Sequence, residues 1–344
     1  MFTLHVDTTA WRTHQKAVLA EHPGLVPVAK GNGYGFGNAR LATEAALLGV
    51  DAIAVGTVTE IADVAAVSDF PHVFVLTPWY PGEPEVPAVP PSVVRTVGSV
   101  DGLRALRDAR VVLECRTSLR RHGIGYHDLG EVARYVERVR LEGWAAHMPL
   151  DRVAGANPAR EVRQWVETLR AGALPVSTMY VSHLTTAEIG ELRSRFPEVA
   201  FRPRIGTQLW LGDRSFFQAC GTVLDVIPVV KGDRFGYRQR EAPADGHLVV
   251  VSGGTSHGIG LEAPKAVSGT VRRAKVVAAA GLASVNRNMS PFTWQGKQRW
   301  FAEPPHMQVS LLWLPADVPA PAPGDELPAD VRMTTTTFDH VQLD

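Results

Sequence analysis

From residue 25 to residue 206 the chain alternates short apolar runs with longer stretches in which apolar side chains return every three or four positions. The short runs are LVPVAK (25–30), AIAVGTV (52–58), HVFVLTP (72–78), VVRTVGS (93–99), RVVLECR (110–116), GWAAHMPL (143–150), TMYVSHL (178–184) and AFRPRIG (200–206). Runs of this kind read as strands buried on both faces. Stretches between them, such as ARLATEAALLG (39–49), LGEVARYVERVRLEG (129–143) and AREVRQWVETLRAG (159–172), carry the spacing of amphipathic helices. Eight strand–helix units in succession predict an α/β fold of the (β/α)8 type, a TIM-like barrel. One connection departs from the pattern: YPGEPEVPAVPPS (80–92) is too rich in proline for a helix and reads as a loop. Beyond residue 217 the helical spacing fades, and GTVLDVIPVV, GHLVVVSGG, KAVSGTVRRAKVV, HMQVSLLWLP and DVRMTTTTFDHVQLD read as strands and turns. A barrel over 1–217 is therefore expected to precede a mainly β domain over 218–344.

Composition narrows the functions this architecture could serve. The 344 residues are 45% apolar and 20% charged, with a formal net charge of zero, so a large core is available and no basic face for nucleic acid is implied. Cys115 and Cys220 stand far apart and have no metal-ligand spacing around them. The opening MFTLHVDTTAW lacks a basic segment followed by an apolar one, and no apolar run reaches the roughly 18 residues of a membrane span. The cytoplasm is the expected location. Among the 35 cationic side chains only six are lysines, Lys16, Lys30, Lys231, Lys265, Lys275 and Lys297. Lys30 closes the first apolar run and opens the glycine-rich KGNGYGFG (30–37). An amine that must lose its proton cannot be arginine, whereas a desolvated lysine shifts readily.

In a barrel of this type chemistry gathers at the C-terminal ends of the strands. Lys30 ends the first predicted strand, His147 lies in the sixth, His183 closes the seventh and Arg204 lies in the eighth, just before Gly206 and Thr207. Arg121, in SLRRHGIG, follows the fifth. This set suits an anionic, electrophilic ligand. Tyr34 offers a hydroxyl, HLTTAE with Thr185 and Thr186 and RIGTQLW with Gly206 and Thr207 offer hydroxyls and main-chain N–H groups for a phosphate, and a lysine facing a bound aldehyde condenses with it. That is pyridoxal 5'-phosphate chemistry. The glycine spacing matches neither a Walker A loop nor a dinucleotide fingerprint.

These segments resemble the alanine racemases and other fold-type III pyridoxal phosphate enzymes, which join an N-terminal barrel to a C-terminal β domain. VAKGNGYGFG is similar to the cofactor-lysine motif, LHVDTTAWRTH to the opening strand, LRRHGIG to the substrate-side arginine segment, LEGWAAHMPL to the strand carrying a histidine near the cofactor ring, and VSHLTTAE with RIGTQLWLGD to the phosphate and pyridine segments. KGDRFGYRQR is similar to the segment bearing a second catalytic tyrosine, and EPPHMQVSLLWLP to one reaching the substrate carboxylate. The resemblance implies an amino-acid racemase in which Lys30 and Tyr237 exchange a proton at Cα from opposite faces. It implies that Tyr34, Thr185, Thr186, Gly206 and Thr207 hold the phosphate, that Arg204 faces the pyridine nitrogen, that His147 and His183 pack near the ring, and that Arg121 and the backbone at Met307 hold the substrate carboxylate. It further implies a homodimer in which each chain lends Tyr237 to its neighbour, and no metal.

The substrate side departs from that pattern. VSGGTSHGIG (251–260) stands where the family has a tyrosine-bearing IGYADG, TTTTFDHV (334–341) stands for its SYR-like segment, and His306, Met307 and Gln308 replace its cysteine–methionine–aspartate stretch. Small residues there, Gly253, Gly254, Thr336 and Thr337, with His257 and His306 at the entrance, predict a substrate range wider than alanine or shifted from it, unless Phe338 fills the space. Three other readings share the barrel: a fold-type III decarboxylase, a metal-assisted D-amino-acid lyase using His306, and a pyridoxal phosphate carrier without catalysis.

Overall fold

The computed structural model describes residues 1–83, 90–153, 155–261 and 288–344. The proline-rich stretch at 84–89 and the strand expected in KAVSGTVRRAKVV lie outside the described residues. By its internal contacts the chain forms two compact units. One comprises Arg12–Gly33 and Gly37–Gly212, the other Met1–Trp11, Tyr34–Phe36 and Asp213–Asp344.

The division interleaves the chain, where a single cut after residue 217 was expected, because the first strand, β1 (Phe2–Val6), joins the β unit. The barrel unit holds β2 (Val26–Pro27), β3 (Ala52–Val55), β4 (His72–Val75), β5 (Val93–Val97), β6 (Arg110–Glu114), β7 (Arg140–His147), β8 (Thr178–Ser182) and β9 (Ala200–Ile205). All eight run parallel in the order β2-β9-β8-β7-β6-β5-β4-β3. A bridge from Val28 to Ala54, with Ala29 N–H donating to the Ala54 carbonyl at 2.8 Å, brings the two ends of that order together. Alternate side chains point inward, and Val26, Val28, Ala52, Ala54, Phe74, Val94, Val112, Ala145 and Tyr180 pack as one cluster of buried residues. On β9 the alternation in AFRPRI sends Arg202 and Arg204 to one side of the strand.

The helices follow in chain order, and side chains cap the start of some of them. Helix α1 (Thr8–Glu21) is followed by α2 (Asn38–Leu47), α3 (Ile61–Ala65), α4 (Val100–Ala105), α5 (Leu129–Tyr135), α6 (Pro158–Ala171), α7 (Thr186–Arg195) and α8 (Thr207–Leu211). Asn157 caps α6 by accepting from Arg160 N–H at 2.9 Å, with Pro158 at the first helical position. Helix α5 is shorter than the expected 129–143: it gives way to a single tight turn at Val136–Arg138, and residues 140–143 already belong to β7. No helix among the described residues is long and apolar enough to cross a membrane.

The β unit is built on β10 (Phe217–Val229), β11 (Arg234–Phe235), β12 (Arg240–Glu241), β13 (Gly246–Ser252), β14 (Met289–Trp294), β15 (Lys297–Phe301), β16 (Val309–Pro315), β17 (Glu326–Ala329) and β18 (His340–Leu343). β1 pairs antiparallel with β10 and parallel with β18, so the two ends of the chain lie side by side. Its core gathers Phe2, Val223, Val251, Phe292, Leu312 and Leu327. Trp11, Phe36 and Phe217 stack within this unit, the Trp11 and Phe36 rings 4.6 Å apart, which accounts for the tripeptide Tyr34–Phe36 grouping here. His257, placed at a pocket entrance by sequence, and Phe338, named there as a candidate filler of the substrate space, belong to this packing. His257 is buried, its ring bonded to Asp339 Oδ1 at 3.0 Å, and Phe338 stacks on Phe2 at 5.2 Å. Thr336 is buried as well.

β7 carries His147 to the barrel mouth only because Gly143 lets two strands approach. Gly143 has φ 143, and a Cβ there would stand 2.6 Å from the Thr178 carbonyl of β8. Gly143→Ala is expected to cost about 1–3 kcal/mol through this collision. Gly190→Ala, in the open middle of α7 with nothing within 4 Å, is expected to be neutral or to stabilise by up to about 1 kcal/mol. Urea unfolding of both variants checks the pair, and equal effects would mean that the β7–β8 approach is not tight.

Candidate active site

Lys30 follows β2 where the chain leaves the barrel through a left-handed loop. Gly31 and Gly33 have φ of 62 and 59, and a Cβ at Gly33 would stand 2.6 Å from Asn38 N, so only glycine fits there. Asn38 donates from Nδ2 to the Gly31 carbonyl at 3.3 Å and to Asp63 Oδ2 at 3.3 Å, tying the loop to α2 and α3. Tyr34 adopts φ 54 and is buried.

The lysine is open to solvent at the mouth, but the surrounding walls desolvate its ammonium and push its pKa below the ordinary lysine value. Arg121 and Arg204 push it further down, and Glu60 opposes them. Glu60 accepts from Gly56 N–H at 2.7 Å and from Gly31 N–H at 3.2 Å, so its carboxylate is pinned beside the lysine by backbone donors. A Cβ at Gly56 would stand 3.1 Å from Lys30 Cβ.

Next to β2 in the strand order come β9, β8 and β7, whose ends carry the other expected residues of the barrel. His147 and His183 meet edge to face, their ring centroids 5.1 Å apart. Burial first, then Arg204 and Arg121, pushes His147 down to about 3, so its imidazole is neutral throughout the working range. His183 is lowered by the same causes, burial first. It sits just past β8 with φ 63, a left-handed turn that ends the strand two residues before the expected 184. Arg204 is buried, donates from Nε to Ser182 Oγ at 3.3 Å and lies 3.6 Å from Glu114 Oε2. Its Nη2 is buried and has no hydrogen-bond partner among the described residues.

The remaining expected residues are distributed less compactly. Thr185 caps α7, donating to Glu188 Oε2 at 2.9 Å and accepting from Glu188 N–H at 3.2 Å, while Thr186 donates to Glu21 Oε1 at 2.7 Å. Gly206 and Thr207 form the start of α8. Arg121 is exposed on the loop after β6. In the β unit Tyr237 is 86% exposed on the loop after β11. Its backbone N–H donates to Glu303 Oε2 at 3.1 Å, and its ring tilts against His306 at 4.7 Å. Glu303 is buried and bonds the His306 ring through Oε1 at 2.7 Å. Met307 exposes its side chain and accepts at its carbonyl from Ser256 N–H at 3.0 Å. Among the described residues, the one trio of donors close enough to share a metal ion is His5, Cys220 and Glu326, which does not include His306.

Sequence reasoning missed Glu60, Glu114, Ser182 and Glu303. A glutamate ending the apolar run RVVLE is a legible signal for Glu114, because a charge on a doubly buried strand needs a partner. Nothing local marks the other three.

A family model described as alanine racemase, N-terminal domain, matches residues 6–199. No curated protein sequence matches the chain. Among solved structures, alanine racemase from Bartonella henselae with covalently bound pyridoxal phosphate superposes with a TM-score of 0.70 at 14% identity, covering 99% of each chain. Alanine racemase from Streptomyces coelicolor A3(2) gives 0.67 at 19% identity, over 99% of this chain and 97% of that one. Histidine racemase from Leuconostoc mesenteroides subsp. sake gives 0.65 at 14% identity, over 100% of this chain and 97% of that one. With the family model spanning more than half of its length, the chain belongs to the alanine racemase family.

Proposed function

We propose that this chain is an amino-acid racemase working with pyridoxal 5'-phosphate at the barrel mouth. The observation that carries the reading is Lys30, a lone lysine whose amine is held toward its neutral form by desolvation and two arginines. The cofactor fits the residues around it. Arg204 Nη2 is a buried donor in want of an acceptor, which a pyridine nitrogen supplies, and the arginine, always charged, keeps that nitrogen unprotonated. Once its carbonyl carbon was joined to the amine of an amino acid in place of the lysine, pyridoxal phosphate would draw electrons from that amino acid's Cα and so acidify its hydrogen.

In this reading Lys30 holds the cofactor and moves a proton on one face of Cα, and Tyr237 of a second copy does so on the other. Inversion needs two groups on opposite faces, one to remove the proton and one to return it. Tyr34, Gly206 and Thr207 hold the phosphate. Thr185 and Thr186 contribute there mainly by fixing the start of α7, since their hydroxyls are bonded to glutamates. Neutral His147, with His183, packs beside the ring as a filler and donor and not as a cation. Arg121 and the backbone at Met307 take the substrate α-carboxylate.

Three outcomes test this. Borohydride reduction of protein loaded with pyridoxal phosphate, followed by peptide mapping, is expected to place the label on Lys30; a label elsewhere removes the basis of the reading. Arg121→Gln removes a positive neighbour, so the Lys30 ammonium is stabilised and its pKa rises. The pH midpoint for acylation of Lys30 in the unloaded protein should therefore move upward in that variant, and an unchanged midpoint would mean that the arginine charge does not reach the amine. Mixing Lys30→Ala with Tyr237→Phe, each inactive, should restore part of the activity on subunit exchange. No recovery despite exchange would place both residues in one chain.

A further inference from the structure

Beside the Lys30 cluster, the loops after β4, β5 and β6 enclose a cleft of about 390 Å³. Its lining includes Trp79, Ser99, Arg116, Arg120, Arg121 and His122, and no acidic side chain among the described residues. Arg121 belongs to both places: it lines the cleft, and its charge reaches Lys30, His147 and His183.

The loop that presents these cations is rigid. Cys115 and Ile124 bridge its base, Arg116 N–H donates to the Ile124 carbonyl at 2.9 Å, and Ile124 N–H donates to the Glu114 carbonyl at 2.8 Å. Arg116 Nε is held by the Gly123 carbonyl at 3.0 Å. Arg120 adopts a left-handed φ of 52 and its backbone N–H donates to the Thr117 carbonyl at 2.9 Å. Among the described residues no carboxylate lies within salt-bridge distance of Arg116, Arg120 or Arg121, although ion pairs occupy many arginines elsewhere, such as Arg12 with Glu44 and Arg110 with Glu142. Three arginines on a fixed loop, facing a cleft and left without anions, form a receptor for one.

We infer that this cleft receives the side chain of the substrate and that the substrate is an amino acid carrying a second carboxylate. This rests on the racemase reading given above. Arg121, placed between the reacting centre and the cleft, takes the α-carboxylate, and Arg116 and Arg120 take the side-chain carboxylate beyond it. The same charges oppose lysine, arginine and protonated histidine as substrates. The cleft is large enough for side chains well beyond the methyl of alanine, with Trp79 lending an apolar wall to the methylenes of an acidic side chain.

Racemisation of L-glutamate and L-aspartate by the loaded enzyme, measured against L-glutamine, L-asparagine and L-alanine, tests the charge preference, because each acid–amide pair differs little in size. The expected result is a kcat/KM at least about tenfold higher for each acid than for its amide, falling toward parity in Arg120→Gln and Arg116→Gln through a rise in KM. Amides turned over as well as acids, or a preference untouched by both variants, overturns the inference while leaving the racemase reading standing. A second measurement decides it even if no amino acid is racemised, an outcome that sinks the racemase reading. Glutarate, which has two carboxylates and no amine, is titrated into the protein while tryptophan emission is followed, with glutaramide as the neutral control. Glutarate binding that is salt-sensitive, stronger than glutaramide binding and weakened in Arg120→Gln supports the cleft as a dicarboxylate site. Equal or absent binding of the two overturns it.

Discussion

Placing an amine among cations at the open end of a barrel is the constraint on which the site depends. A lysine there holds its proton less firmly, since the charged form is both desolvated and repelled. Left unopposed, that repulsion would drive the strand ends apart. Two carboxylates moderate it without neutralising it. Glu60 is fixed beside Lys30 by two backbone N–H groups, and Glu114 lies across from Arg204 in the interior. Neither forms a close bidentate pair with a cation of the site, so positive potential remains at the mouth, where an anionic cofactor or substrate can meet it.

The barrel was legible because most of its strands are buried and therefore written as short apolar runs, separated, except at the proline-rich 80–92, by segments that are mostly of helical spacing. All eight runs became strands of one parallel sheet. Their ends were less legible. RYVERVRLEG keeps helical spacing across the point where the chain turns from α5 into β7, with Val136 and Val139 both buried there. The partition of the chain was hidden for a different reason. β1 is fixed by partners more than 200 residues away, on β10 and β18, and local patterning carries no trace of such pairings. His257 was misplaced for a related cause: besides the local Gly254 N–H, its buried ring is held by Asp339 and Phe2, both distant in sequence.

Lys30, His147, His183 and Arg204 were readable as a group because strand ends in a parallel barrel converge. The glutamates beside them were not, because a charged residue in a turn has the same appearance whether it faces solvent or an amine. Glu303 is the sharpest example. Its neighbours EPPHM suggest an exposed loop, yet its buried carboxylate bonds both the Tyr237 backbone and the His306 ring. Gly236 is what permits it: a Cβ there would stand 2.1 Å from Glu303 Oε2.

That brace bears on how an exposed side chain is ordered. A tyrosine open to solvent at the tip of a short hairpin samples several rotamers, and fixing it at the moment of need costs conformational entropy. Here the backbone of Tyr237 is anchored to a buried charge and its ring rests on an imidazole that the same charge orients. Much of the ordering is therefore achieved when the β unit folds, independently of any ligand. The barrel and the β unit use similar means: in each a carboxylate bonded to the backbone fixes the chain at a residue of the candidate site, Glu60 next to Lys30 and Glu303 at Tyr237. Both carboxylates are bonded by backbone N–H groups, donors whose positions are set by the fold rather than by a mobile side chain.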